Sequence, residues 1–89
     1  MTEQLQALRA QIDAADGELI RAFCRRMEIC TEIGRLKATA GLFITDNSRE
    51  LQVIENAVSR ADEPYRSAAE YLIKVIIELS KSEQRRCCG

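Results

Sequence analysis

The chain has 89 residues, with 13 Lys or Arg against 14 Asp or Glu, so its formal net charge is −1. This balance gives no support for binding to nucleic acid or to an anionic membrane surface. One small domain (1–89) of this length buries a modest core, which favours association with a second copy. Because the sequence has neither a bilayer-spanning apolar run nor a secretion signal, we expect a cytoplasmic protein.

The cysteines argue against a metal centre. Cys24, Cys30, Cys87 and Cys88 show no paired CxxC spacing, and the chain has no histidine. A zinc site usually needs such a set of ligands. We therefore expect four reduced cysteines that bind no metal, and no cofactor.

The first predicted helix is very long and runs from about Glu3 to Thr39 without a proline. At about 1.5 Å per residue it would extend roughly 50 Å, which is more than a compact monomer of this size can cover. Part of its apolar face should therefore pack against another chain.

A second helix follows a short connection. Gly41 is a natural helix stop, and Asp46, Asn47 or Ser48 could each cap the next helix, with the sequence leaving the choice open. This second helix should end before Pro64.

The third predicted helix runs from Tyr65 or Arg66 to Arg85 and has a broad apolar surface. The sequence shows no strand pattern. It therefore predicts an all-α protein of three helices, one of them very long.

Two cations interrupt the apolar stripe of the first helix. Arg26 and Lys37 have no carboxylate three or four residues away to pair with. Because unpaired cations are costly to bury, they indicate a buried site for an anion. The stripe consists of Leu8, Ile12, Ala15, Leu19, Phe23, Arg26, Cys30, Ile33 and Lys37.

Polar residues also recur on the apolar faces of the other helices, at Glu50, Ser80 and Gln84. Each alone has an ordinary explanation. Glu50 could be a solvated acid in a first turn, and Ser80 could bond back to its own helix. Together with the two cations, they favour a shared polar site.

Arg9 is four residues before Asp13, and an exposed ion pair there would explain it. It lies about 25 Å along the helix from Arg26, so the two cannot grip one small anion from the same helix. If Arg9 serves a site, that site belongs to another protomer.

Four segments carry a resemblance to the all-helical, type II class of chorismate mutases. They are LQALRAQIDAADGEL, RRMEICTEIGRLKATAG, ITDNSRELQVI and IIELSKSEQ. The resemblance implies an intertwined homodimer with two equivalent pockets, each completed by the first arginine of the opposite chain. The pocket positions fall on Arg9, Arg26, Lys37, Asp46, Glu50, Ser80 and Gln84.

The resemblance also implies the rearrangement of chorismate, a dianion, to prephenate in phenylalanine and tyrosine biosynthesis. Lys37 and Gln84 would then donate to the ether oxygen, and Glu50 with Asp46 would orient the ring hydroxyl. Arg26 and the partner subunit's Arg9 would hold the carboxylates, with help from Ser80. Arg49 would support the turn at Asp46. The implied catalytic residues are Lys37, Gln84, Arg26 and Glu50.

Two alternatives stay open at this stage. An isochorismate–pyruvate lyase would use the same fold on a similar dianion, although Glu50 favours the mutase. A helical dimerisation or regulatory module without catalysis would place Arg26 and Lys37 in interchain salt bridges. Lys81 places a charge beside the pocket edge of the third helix, where a smaller or apolar side chain would be expected. Lys81 and the RRCCG ending could alter the pocket or only the surface, and the sequence leaves this open.

Overall fold

The computed structural model describes residues 2–88, and their regular structure is helical. The elements are α1 (Thr2–Ala40), α2 (Asn47–Arg60), a short 3₁₀ turn (Glu63–Tyr65) and α3 (Arg66–Cys88). The predicted all-α fold with one very long helix is confirmed. The structure adds the 3₁₀ turn, which contains Pro64, and extends α3 three residues beyond the predicted end at Arg85.

The ends of α1 and α2 follow ordinary capping rules. Gly41 has φ 71°, and the N–H groups of Gly41 and Leu42 donate to Ala38 O (3.3 Å) and Lys37 O (2.8 Å). This pattern is a Schellman motif, which needs a residue with positive φ after the helix. Asp46 caps α2 by accepting a hydrogen bond from Arg49 N at 3.1 Å. Of the three candidate caps, the structure selects Asp46.

α3 packs against both other helices. Ser80 of α3 lies beside Arg26 of α1, and four residues later in both helices Gln84 lies beside Cys30. The two helices therefore run in the same direction where they touch. The end of α2 is set by Ala61, whose N–H donates to carbonyl groups of α2.

The molecule is elongated, with extents of 58 × 26 × 14 Å and a radius of gyration of 16.5 Å. A compact chain of this length would have a radius of gyration of about 12 Å. Among the described residues, Ile77, at 6% exposed, is the one large apolar side chain that is buried. No helix in the described part of the chain combines the length and the hydropathy needed to cross a bilayer.

The cysteine prediction is wrong at the end of α3. Cys87 and Cys88 form a disulfide between adjacent residues, whereas Cys24 and Cys30 are free thiols as expected. The prediction rested on the reducing compartment expected for the protein.

Candidate active site

A pocket of about 290 Å³ lies between the second half of α1, the start of α2 and the end of α3. Four cations and two carboxylates line it, so the formal charge of the lining has an excess of two positive charges. A small concave site with this excess favours a ligand with two negative charges. The charged residues are Arg26, Lys37, Arg49, Lys81, Asp46 and Glu50.

Arg26 and Ser80 connect α1 to α3 at one wall of the pocket. Arg26 Nη1 donates a hydrogen bond to Ser80 Oγ at 2.6 Å, and Ser80 Oγ donates to Ile76 O at 2.8 Å. Ser80, at 5% exposed, therefore bonds to its own helix and also positions the guanidinium. Because a guanidinium has five N–H donors, Arg26 keeps donors for a carboxylate.

Lys37 lies near the C-terminal end of α1 and reaches the connection to α2. Its Nζ donates to Ile44 O at 2.8 Å, which leaves two of the three ammonium hydrogens for a ligand. Within residues 2–88, neither Arg26 nor Lys37 forms a salt bridge. The prediction of two cations without an intrahelical partner is confirmed for the described chain.

Gln84 occupies the wall between α1 and α3, where it is 6% exposed. Its Nε2 donates to Cys30 O at 2.9 Å, so one amide hydrogen remains. The close approach depends on Gly34, because a Cβ atom there would lie 3.1 Å from Gln84 Cγ and 3.2 Å from Cys88 Sγ. Gly34 is the buried residue of α1 within the described range.

Glu50 faces the pocket from the first turn of α2 and pairs with Lys81 of α3. Lys81 Nζ lies 3.4 Å from both carboxylate oxygens of Glu50 and 3.1 Å from Glu78 Oε1. The hydrogen bond to Glu78 is the largest cause that raises the pKa of Lys81 above 10.5, and Glu50 adds to it, while burial acts in the opposite direction. Lys81 is therefore a cation at neutral pH.

The remaining predicted site residues are more exposed. Asp46 and Arg49 line the open side of the pocket, where Asp46 Oδ1 accepts the backbone N–H of Arg49. Arg49 Nη1 donates to Gln52 Oε1 at 3.2 Å along α2. Arg9 lies on the exposed first half of α1, far from this pocket, and within the described residues it forms no salt bridge with Asp13.

The structure thus brings together seven of the eight predicted residues, and it leaves Arg9 outside the pocket of its own chain. Sequence analysis placed Lys81 beside the pocket edge but did not include it among the site residues, and the structure places it in the pocket lining. A signal was present, because Ile77, Lys81 and Gln84 follow at spacings of four and three and so share one face of α3.

The fold and the pocket define a class of protein: a small, all-helical protein with a cationic pocket between its helices. The chain belongs to the chorismate mutase type II family, whose model matches residues 8–85. No solved structure gives a significant match.

Three named relatives resemble parts of the chain. A 3-dehydroquinate dehydratase of Pyrobaculum aerophilum is 47% identical over 60% of the chain and 18% of its own length. A T-protein of Haemophilus influenzae is 38% identical over 60% of the chain and 14% of its own length. A 4-amino-4-deoxychorismate mutase of Streptomyces pristinaespiralis is 40% identical over 67% of the chain and 46% of its own length. The chain therefore spans less than half of each of these relatives.

Proposed function

We propose that this protein is a chorismate mutase, which converts chorismate to prephenate in the synthesis of phenylalanine and tyrosine. The observation that carries the proposal is the pocket with an excess of two positive charges, into which three helices bring Arg26, Lys37, Gln84 and Glu50. Chorismate is a dianion, so its two carboxylates match this excess. Membership of the chorismate mutase type II family supports the same activity.

The rearrangement breaks a carbon–oxygen bond and forms a carbon–carbon bond within one molecule, and no proton has to move for these bonds to change. An enzyme can therefore accelerate it by holding the flexible substrate in its reactive shape and by stabilising charge that develops on the ether oxygen. Fixed hydrogen-bond donors suffice for both tasks, and the chain without histidine supplies them.

Arg26 binds one substrate carboxylate in this proposal. Its guanidinium is positioned by Ser80 Oγ at 2.6 Å, and the fork of N–H groups matches the geometry of a carboxylate. Ser80 assists at the same carboxylate by holding the Arg26 guanidinium in place. The second carboxylate is bound by Arg9 of the partner subunit.

Lys37 and Gln84 are the proposed donors to the ether oxygen. Each has one hydrogen bond within the chain, Lys37 to Ile44 O and Gln84 to Cys30 O, and each keeps at least one hydrogen for the substrate. Because the ether oxygen is more negative in the transition state than in the substrate, these bonds lower the barrier.

Glu50 accepts a hydrogen bond from the ring hydroxyl of the substrate. Its position in the first turn of α2 is set by Asp46, which caps that helix. Arg49 supports the same turn, since its backbone N–H donates to the Asp46 side chain. In this proposal, Asp46 and Arg49 also form the edge of the substrate site.

The proposal requires a homodimer, and the first half of α1 supplies the reason. Across residues 2–22, every residue except Gly17 is exposed, including Leu8 (56%) and Ile12 (58%). Apolar side chains at helical spacing on one face are stable when another surface covers them. A second copy that covers this half of α1 would bring its Arg9 near the pocket.

The direct test is to follow chorismate with the purified protein and to identify the product. Formation of prephenate would support the proposal, and release of pyruvate from isochorismate alone would favour the lyase. The relative named as a 4-amino-4-deoxychorismate mutase makes the 4-amino compound a second candidate substrate. A protein that turns over none of the three compounds would contradict the proposal and favour a dimerisation module.

A further inference from the structure

We propose that Lys81 determines substrate specificity by selecting a hydroxyl group over an ammonium group at the ring carbon that faces Glu50. The inference rests on the proposed function, because it assumes that Glu50 binds the ring substituent. It is carried by the contact of Lys81 Nζ with both carboxylate oxygens of Glu50, each at 3.4 Å.

The position of Lys81 makes this contact part of the pocket. Its side chain is 15% exposed, lines the pocket and lies between Glu50 of α2 and Glu78 of α3. Glu78 is much more exposed than Glu50, at 67% against 24%, so solvent screens the outer ion pair more strongly. Glu50 lines the pocket and Glu78 does not, so the pair of Lys81 with Glu50 is the one that a ligand in the pocket contacts.

A carboxylate that is already paired with an ammonium group presents little net charge to a ligand. It still accepts a hydrogen bond from a neutral hydroxyl, because a carboxylate has about four acceptor positions and Lys81 uses a fraction of them. The pair of Glu50 and Lys81 therefore accommodates the hydroxyl of chorismate.

An amino group at the same ring carbon presents a different problem. An aliphatic amine is protonated at neutral pH, as the lysine side chain is, so it would bring a second positive charge to the same carboxylate. Two like charges around one carboxylate in a partly desolvated pocket repel each other. The pocket discriminates against the 4-amino compound through this repulsion, and an uncharged side chain at position 81 would remove it.

The experiment compares kcat/KM for chorismate and for 4-amino-4-deoxychorismate in the unsubstituted protein and in Lys81→Met. We expect the unsubstituted protein to prefer chorismate. We expect Lys81→Met to raise the ratio of kcat/KM for the amine to kcat/KM for chorismate by about tenfold, because one nearby charge has been removed.

Two further variants separate the effect of the Lys81 charge from other effects of the side chain. Lys81→Arg keeps the charge and should keep the preference for chorismate, whereas Lys81→Gln removes the charge but keeps polar contacts and should behave as Lys81→Met does. The matched control is Lys74→Met on the same helix, where Lys74 pairs with Glu70 at 3.9 Å and is 56% exposed. The control should leave both substrates unaffected.

Results that would contradict the role of Lys81 differ from the result that would contradict the proposed function. Folded Lys81→Met and Lys81→Gln proteins with an unchanged ratio would overturn the role of Lys81, even if chorismate is turned over normally. An equal rise in KM for both compounds would overturn it too, since it would show that Lys81 binds a group common to both. Absence of turnover on both compounds by the unsubstituted protein would overturn the proposed function itself, and the role of Lys81 with it.

Discussion

The two halves of α1 differ in what covers them. Residues 23–40 contact α3 through hydrogen bonds at Arg26 and Cys30 and through the close approach of Gly34 to Gln84, and they carry the pocket cations. In residues 2–22, the apolar side chains Leu5, Leu8, Ile12, Leu19 and Ile20 are all exposed. One continuous helix thus has a half that packs on α3 along one side, with Ile29, Ile33 and Leu36 still exposed, and a half in which every described residue but Gly17 is exposed.

This difference indicates which part of α1 needs a second chain to cover its apolar face. A single helix of this length gains most of its stability from packing of its apolar face, and the intrinsic propensity of its residues adds less. The packed half contributes to a pocket in which a single chain supplies every predicted site residue except Arg9. The exposed half carries Arg9 and presents a face that a second copy would cover. The predictions below compare the two halves, from the largest expected effect to the smallest.

The largest effect is expected in the packed half, at Lys37. Removing one fixed donor to a developing negative charge typically costs about 3 to 4 kcal/mol, so Lys37→Ala should lower kcat at least 100-fold. The measurement is steady-state turnover of chorismate, with circular dichroism to show that the variant is folded. Lys74→Ala, which removes an exposed lysine of α3, should keep normal kcat. A folded Lys37→Ala protein with near-normal kcat would refute the role of Lys37.

The second prediction tests whether Arg9 from the exposed half of one chain completes the pocket that contains Lys37 of the other chain. Arg9→Ala and Lys37→Ala proteins should each be inactive, but mixing and refolding them together should restore roughly a quarter of normal activity. Half of the dimers would be mixed, and each mixed dimer would have one intact pocket of two. Turnover before and after refolding measures the effect. If Arg9 acts within its own chain, no intact pocket forms and activity does not return.

Helix periodicity predicted the helices well, because it depends on local spacing. It placed α1 within one residue at each end and identified the helix stop at Gly41. It missed the 3₁₀ turn because Pro64 ends a helix and also suits the first positions of the next one. It ended α3 too early because Arg85 and Arg86 interrupt the apolar pattern, whereas Cys88 packs beside Gly34 of α1.

The candidate site was partly predictable for the same reason. Arg26, Lys37, Ser80 and Gln84 stand out as polar residues on apolar faces, and the structure brings them to one pocket. The pairing of Glu50 with Lys81 joins residues 31 positions apart and depends on how α2 packs on α3. Helix spacing places Lys81 on the same face of α3 as Gln84, but no local pattern encodes its pairing with Glu50, so that contact became visible in the structure alone.

The third prediction uses one glycine from each half of α1. In the packed half, Gly34→Ala would place a Cβ 3.1 Å from Gln84 Cγ, so Gln84 must move by a few tenths of an ångström. Because misplacement of a catalytic group by about 1 Å can cost 100-fold, we expect kcat to fall about tenfold. Steady-state kinetics will measure the change. An unchanged kcat would show that Gln84 adjusts freely.

The matched change in the exposed half is Gly17→Ala. Its Cβ would meet only the end of the flexible Arg21 side chain at 3.3 Å, so the helix can accept it. Alanine in a helix interior stabilises by about 0.4 to 1 kcal/mol relative to glycine. We expect a higher Tm in thermal unfolding and an unchanged kcat. A lower Tm would show that the second chain approaches Gly17 closely.

The smallest effect concerns the ion pairs of Lys81. Its pKa is raised in the folded protein, chiefly by the hydrogen bond to Glu78 and then by Glu50, so the stabilisation is fully present below 10.5 and is lost as pH rises through the folded-state pKa. The free energy of unfolding of the unsubstituted protein minus that of Lys81→Met should therefore be constant near neutral pH and fall by tenths of a kcal/mol above pH 10.5. Urea titrations of both proteins at several pH values measure this difference. Since a packing change is independent of pH, a difference that stays constant above pH 10.5 would show that Lys81 stabilises the fold through its methylene groups alone.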